Sequence, residues 1–217
     1  AAFLLAPFVS NIDILNWCKW FLDKNGEQIS DQDISLTINN KQRKKLIDYA
    51  TNGMRNDFMD VFLGAKCLFW LSTGSGIDNM SKIFRKPILY TNQAPIGHVT
   101  TYQSTVIFIP KHHYDLKKNK KMSLKEIKEK GLSYSLESKD FVKQDVKLIE
   151  NSPDEIKDAT KEICERIKNN NWDYFLDSKN LQEEFWKQYP YKYEFHGNIT
   201  SKIGSNFLKN NKYLFSK

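Results

Sequence analysis

Residues 67–84 read CLFWLSTGSGIDNMSKIF, and the chain changes character halfway along them. Cys67 to Leu71 form an apolar and aromatic run with the length and composition of a buried strand, and Ser72 marks its exit. Gly74, Ser75 and Gly76 then make a turn, and from Gly76 to Phe84 the spacing is helical. This order places a helix N-terminus, with unpaired N–H groups and a positive dipole end, at the carboxyl end of a strand. In an open α/β sheet that is where ligands bind. Glycines let the backbone approach a phosphate with no Cβ in the way. The turn is not a Walker loop, since no Gly-Lys-Ser/Thr follows, and it lacks the third glycine of the dinucleotide fingerprint. On these residues alone, a phosphate cradle and a plain tight turn are equally good readings.

Outward from this stretch, strands and helices alternate. "LIDYA" at 46–50 reads as a short strand, "DFMDVFLGA" at 57–65 as a helix, and "PILYTN" at 87–92 and "TVIFIP" at 105–110 as strands. "KLIEN" at 147–151 adds another. Such alternation predicts an α/β fold: a Rossmann-like parallel sheet flanked by helices. Helices are expected from Ser123, near Ser152 and near Leu181, with a final amphipathic piece over 199–210. Ser123 with Glu126 is a capping box, and Ser152 precedes proline at the first helical position with Glu155 behind it. Over 153–168, Ile156, Ala159, Ile163, Cys164 and Ile167 share one stripe, which makes Cys164 a core thiol. Phe69 and Trp70 read as core as well. Before Leu46, residues 12–24 have helical spacing ending at Gly26, and 27–45 form a polar connector. The domain reading is a divergent segment over 1–40 and an α/β domain over 41–217.

Composition narrows the function. At 217 residues and 40% hydrophobic content, the chain can bury a real core. The net charge of +7 comes from 33 basic residues of which four are arginine, so lysine dominates. "KQRKK" at 41–45 and "KKNKK" at 117–121 lack the interleaved aromatics of a single-strand nucleic-acid groove and read as solvated faces, with phosphate or membrane-surface contact second. Cys18, Cys67 and Cys164 are odd in number and widely spaced, which suits a reducing cytoplasm. No apolar run approaches the roughly 18–20 residues of a membrane span. The start of the chain, without methionine and inside the apolar "AAFLLAPFV", suggests a fragment.

A resemblance covers most of the chain. "LIDYA", "DFMDVFLGAKC", "STGSG", "FRKPILYTN", "APIG", "KHH", "LIENSPDEI" and "GSNFLKNN", in this order from Leu46 to Leu214, resemble a family of bacterial glycosyltransferases used in surface-polysaccharide or glycoprotein assembly. The resemblance implies the carboxyl-terminal, nucleotide-sugar-binding lobe of a metal-independent, two-lobed GT-B enzyme without a further cofactor. Residues 1–40 do not share it, so the acceptor-binding lobe is expected to be missing. It further implies that Thr73, Gly74, Ser75 and Gly76 hold the donor diphosphate, and that Asn92 bonds the donor sugar or ribose. Asn92 reads equally well as a strand-ending turn residue.

The remaining candidates come from residue chemistry. Lys111 with His112, just after the strand 105–109, suits a departing diphosphate, although a structural role for the imidazole is the stronger reading. His113 and Asp115 beside them make a weak metal set, and none is assigned. Asp48 at a strand end would contact ribose or base, and His98 lies on the loop after Asn92. Asp57 and Asp60 share a helix face, which would suit acid/base work only if that face opened to the cleft, and Asp57 reads better as a helix N-terminal acid; Arg85 reads as a C-terminal helix cation and His196 as a turn or cap residue. No catalytic residue emerges. The leading reading is sugar transfer from a nucleotide-activated donor to a glycan, lipid-linked sugar or protein, without nucleic acid, in the cytoplasm or peripheral to the inner membrane. The alternatives are a non-catalytic nucleotide- or phosphate-binding module and, behind it, a nucleic-acid-binding protein.

Overall fold

The computed structural model describes Tyr49, residues 53–173 and residues 178–216. Helix α1 (Asp57–Lys66) leads through β1 (Trp70–Ser72), α2 (Asp78–Ile83) and β2 (Ile88–Gln93) to a 3-10 turn at Ile96–His98 and β3 (Val106–Pro110). Next come β4 (His112–Asp115), β5 (Lys120–Lys121), α3 (Leu124–Glu129), α4 (Ser138–Lys143) and β6 (Val146–Ile149). The long α5 (Pro153–Asn169), α6 (Lys179–Gln188), α7 (Tyr193–His196), β7 (Lys202–Ile203) and α8 (Ser205–Asn210) follow.

Four strands in the order β1-β2-β3-β7 form a parallel sheet, with Trp70 opposite Ile88, Ile88 opposite Val106 and Ile107 opposite Lys202. Every residue of β2 and β3 is buried, because helices and loops cover both faces; this is why these strands read as unbroken apolar runs. Ile88, Leu89, Val106, Ile107, Phe108 and Ile109 are fully buried, and each contributes about 1.5–3 kcal/mol. Helix α5 lays its Ile156, Ala159 and Ile163 stripe on β2 and β3, and α8 packs on α5. The chain is therefore an α/β protein with a four-stranded parallel sheet flanked by helices, compatible with a Rossmann-like fold.

Both capping boxes form as the sequence predicts: Ser123 and Ser152 each accept the N–H three residues on, and Glu126 and Glu155 accept the cap N–H in return. Phe69, Trp70 and Cys164 are buried.

Four expectations change. The strand at "KLIEN" is β6, and it joins a second, antiparallel sheet in the order β5-β4-β6. His112 and His113, expected just after the strand 105–109, lie within β4 of that sheet. The turn after β1 extends two residues further, so α2 begins at Asp78. The amphipathic piece at 199–210 splits into β7 and α8 at Gly204, where a Cβ would stand 2.8 Å from the Ile109 side chain. The expected helix at 12–24 and all but Tyr49 of the strand at 46–50 lie outside the described residues.

Candidate functional site

The carboxyl edge of the parallel sheet collects most of the residues singled out from the sequence. Three strand spacings separate the ends of β1 and β7, roughly 14 Å. Thr73 to Gly76 leave β1, Asn92 and Gln93 end β2, Lys111 and His112 follow β3, and α8 follows β7. Direct contacts tie these exits together. Gly74, at φ +90°, lies so that a Cβ would be 3.5 Å from Gln93 Oε1, and the Gln93 carbonyl accepts the Lys111 N–H at 3.1 Å.

The turn at β1 is held from within. Asp78, 1% exposed, accepts from Trp70 Nε1 (3.0 Å), Ser72 Oγ (2.6 Å), the Ser75 N–H (2.8 Å) and Ser75 Oγ (3.2 Å). Ser72 Oγ in turn accepts the Gly74 N–H at 3.1 Å. Two of the four amides at 74–77 are thus engaged, while those of Gly76 and Ile77 have no partner among the described residues. Thr73 to Gly76 are exposed. Asp78 is the residue that sequence reasoning missed; its signal was the capping-box spacing from Ser75.

Asn92 ends β2 in the left-handed region, φ +52°, where the β2–β3 register slips. Its N–H donates to Asn151 Oδ1 and its Oδ1 accepts the Asn151 N–H, both at 2.6 Å, while Asn151 Nδ2 donates to the Pro110 carbonyl at 2.8 Å. Asn92 therefore fastens β2 to the start of α5. Lys111 pairs with Glu150 at 2.5 Å.

His112, 4% exposed, sits between Tyr213 Oη at 2.6 Å from Nδ1 and Glu155 Oε2 at 3.0 Å from Nε2, with its ring stacked on Phe207. Burial alone would raise the Glu155 carboxyl, but hydrogen bonds from His112, the Ser152 N–H and Asn211 Nδ2 hold it at about 2. Burial and the Glu155 charge push the Tyr213 phenol up, so it stays protonated. His112 Nε2 faces the carboxylate and Nδ1 faces the Tyr213 hydroxyl. Both nitrogens are committed, so a diphosphate at His112 would have to displace Tyr213 or Glu155. Beside this trio opens a cleft of about 370 Å³ lined by His112, Lys121, Asp158, Phe207, Asn210 and Asn211, among others.

His113 points to the opposite face of β4, against Phe141, and among the described residues neither ring nitrogen has a hydrogen-bond partner of good geometry, the Lys111 backbone being a weak approach only. Burial pushes it down to about 4. His98 is exposed and packs edge-on against Tyr134. His196 is buried and caps the start of its own short helix, its Nδ1 accepting the Lys192 N–H at 2.8 Å. Asp48 lies outside the described residues. In "KKNKK", Lys117 pairs with Asp145 and both Lys118 and Lys120 with Glu126, while Lys121 lies over the Tyr213 ring.

Among the described residues no three His, Cys, Asp or Glu side chains converge to hold a metal, and no helix is long and apolar enough to cross a membrane. Comparison of the chain with protein-family profiles, with curated proteins and with solved structures returned no match.

Proposed function

We propose that the chain is the donor-binding lobe of a bacterial glycosyltransferase of the GT-B type, which takes a nucleotide-activated sugar for transfer to a glycan, lipid-linked sugar or protein acceptor. The observation that carries this reading is the convergence, on the carboxyl edge of one parallel sheet, of the exposed turn 73–76, Gln93, Lys111 and the cleft beside His112. That edge is where open α/β sheets hold nucleotides. The resemblance carried by "STGSG", "KHH", "LIENSPDEI" and "GSNFLKNN" falls on the same edge. The diphosphate belongs at the turn, against the amides of Gly76 and Ile77 and the hydroxyls of Thr73 and Ser75. The cations Lys82, Arg85 and Lys86 follow in the same stretch. No metal or further cofactor enters this reading.

The test is a thermal-shift panel of nucleoside diphosphates and their sugar conjugates. A ligand at 100 times its Kd stabilises the native state by about 2.7 kcal/mol, a rise of several degrees for a chain of this size. One nucleoside series is expected to raise the melting temperature, and Gly76→Val should reduce that rise. A panel with no effect, or a rise indifferent to Gly76→Val, overturns the proposal.

A further inference from the structure

The cleft beside His112 has a charge opposite to that of the whole protein. The chain carries +7, yet Glu150, Asp154, Glu155 and Asp158 line this cleft against the single ammonium of Lys121. Glu150 and Asp154 are offset by ion pairs with Lys111 and Lys157, and Glu155 is filled by its three internal donors. Asp158 is different: half-buried, it has no hydrogen bond or ion pair among the described residues.

Asn211 supplies a second, independent acceptor. Its residue is 4% exposed, and its Nδ2 is fixed by two acceptors, Glu155 Oε1 and the Phe207 carbonyl, both at 2.9 Å. That fixes the amide orientation, so Oδ1 faces the other way. Oδ1 accepts nothing among the described residues, yet it is not among the sealed, unsatisfied atoms, and Asn211 lines the cleft. A carbonyl of a nearly buried residue that lines the cleft is therefore unsealed and unpaired among the described residues. Phe207 and Ile149 supply its apolar wall. Acceptors of this kind, with lysine at one side and an apolar wall, repel phosphate and suit hydroxyl groups, which donate to carboxylate and carbonyl alike.

We propose that this cleft is a polyol subsite. It holds a sugar ring through hydroxyl bonds to Asp158 and Asn211 Oδ1, and the diphosphate lies outside it, toward the turn at 73–76. The assignment of that ring to the donor rests on the function proposed above; the selection of neutral polyol over anion rests on the cleft alone.

The experiment is amide NMR on the full chain, titrated separately with the methyl α-glycosides of fucose, galactose, glucose and mannose, with inorganic pyrophosphate, and with nucleotide sugars. At least one glycoside should shift the Asn211 side-chain amide and the backbone amides around Asp158, while pyrophosphate leaves them in place. Asp158→Asn, at a side chain with no hydrogen bond or ion pair among the described residues, should keep the spectrum of the folded protein and weaken the glycoside about tenfold. Asp158→Leu serves as a second variant, removing both carboxylate acceptors while leaving the Asn211 bonds to Glu155 and Phe207 in place. Pyrophosphate shifting these signals, or their silence toward every glycoside and every nucleotide sugar that binds, overturns the subsite. If nucleotide sugars bind and neither they nor any glycoside moves these signals, the subsite is refuted and the donor-lobe reading stays intact. Glycosides that bind here in a chain that takes no nucleotide do the reverse.

Discussion

Asn92 and Asn151, 59 residues apart, exchange hydrogen bonds: the backbone N–H of each donates to the side-chain oxygen of the other at 2.6 Å. Both residues are buried, and Asn92 holds a left-handed backbone that asparagine tolerates better than most residues. The pair joins the end of β2 to the start of α5 and so places the cleft beside the sheet edge.

Separating the two contributions of Asn92 makes the first prediction. Asn92→Gly keeps the backbone conformation and leaves the Asn151 N–H unpaired, costing about 1–3 kcal/mol. Asn92→Ala adds the steric cost of φ +52°, a further 1–2 kcal/mol or so. Urea denaturation should rank wild type above Asn92→Gly above Asn92→Ala; equal stabilities for the two variants would remove strain from the account.

His113 is expected to make the protein acid-sensitive near neutrality. Its folded pKa of about 4 lies below the ordinary 6.5, so the unfolded chain binds the proton first. Stability is fully present above pH 6.5 and declines as pH falls toward 4, by on the order of 3 kcal/mol. His113→Leu should flatten the stability curve in this window with little change in stability at pH 8, because among the described residues the imidazole has only a weak approach to the Lys111 backbone to lose.

Glu155 acts in a lower window and in the usual carboxylate sense. Held at about 2 against an ordinary 4.5, it contributes stability that is present above pH 4.5 and lost as pH falls toward 2, again on the order of 3 kcal/mol. Glu155→Gln should remove that loss. It should also destabilise at pH 7, since the His112 Nε2–H, the Ser152 N–H and Asn211 Nδ2 then share a neutral acceptor. Denaturation midpoints at pH 3, 5 and 7 distinguish this effect from that of His113.

The two turn glycines should behave differently. Gly74→Ala forces a side chain onto φ +90° and should cost about 1–2 kcal/mol of stability. Gly76 has no positive φ, and a Cβ there meets nothing within 4 Å, so Gly76→Ala should be close to neutral for folding. A loss of nucleotide affinity in Gly76→Val with an unchanged melting temperature of the free protein would locate the phosphate at this amide. Asp78→Ala, which strips the acceptor from Trp70, Ser72 and Ser75, should be the most destabilising change at the turn, roughly 3 kcal/mol or more.

Much of the fold was written locally. The runs at 67–72, 87–92 and 105–110 announce buried strands because both their faces are covered, and the boxes at Ser123 and Ser152 need only residues three apart to form. The stripe on α5 likewise follows from a period of 3.6 residues, whatever it packs against. The site was legible as a list of residues, not as an arrangement. The turn after Ser72 could be found by its glycines, but Asp78, which accepts the Ser75 amide and orients the Ser72 hydroxyl that accepts the Gly74 amide, acts by folding back from the helix it begins.

The adjacent histidines show where sequence alone stops. His112 and His113 are the same residue type at neighbouring positions, and nothing local separates them. In a strand, successive side chains point to opposite faces, so tertiary packing assigned them opposite fates. One face of β4 meets Glu155 and Tyr213, 43 and 101 residues further along the chain, which occupy both nitrogens of His112. The other face meets Phe141 and leaves the His113 nitrogens without a well-formed hydrogen bond among the described residues. Periodicity and capping are properties of a few consecutive residues, and the sequence alone determined them. The partners of a buried polar group are set by which distant elements the sheet brings together, and only the tertiary structure decided those.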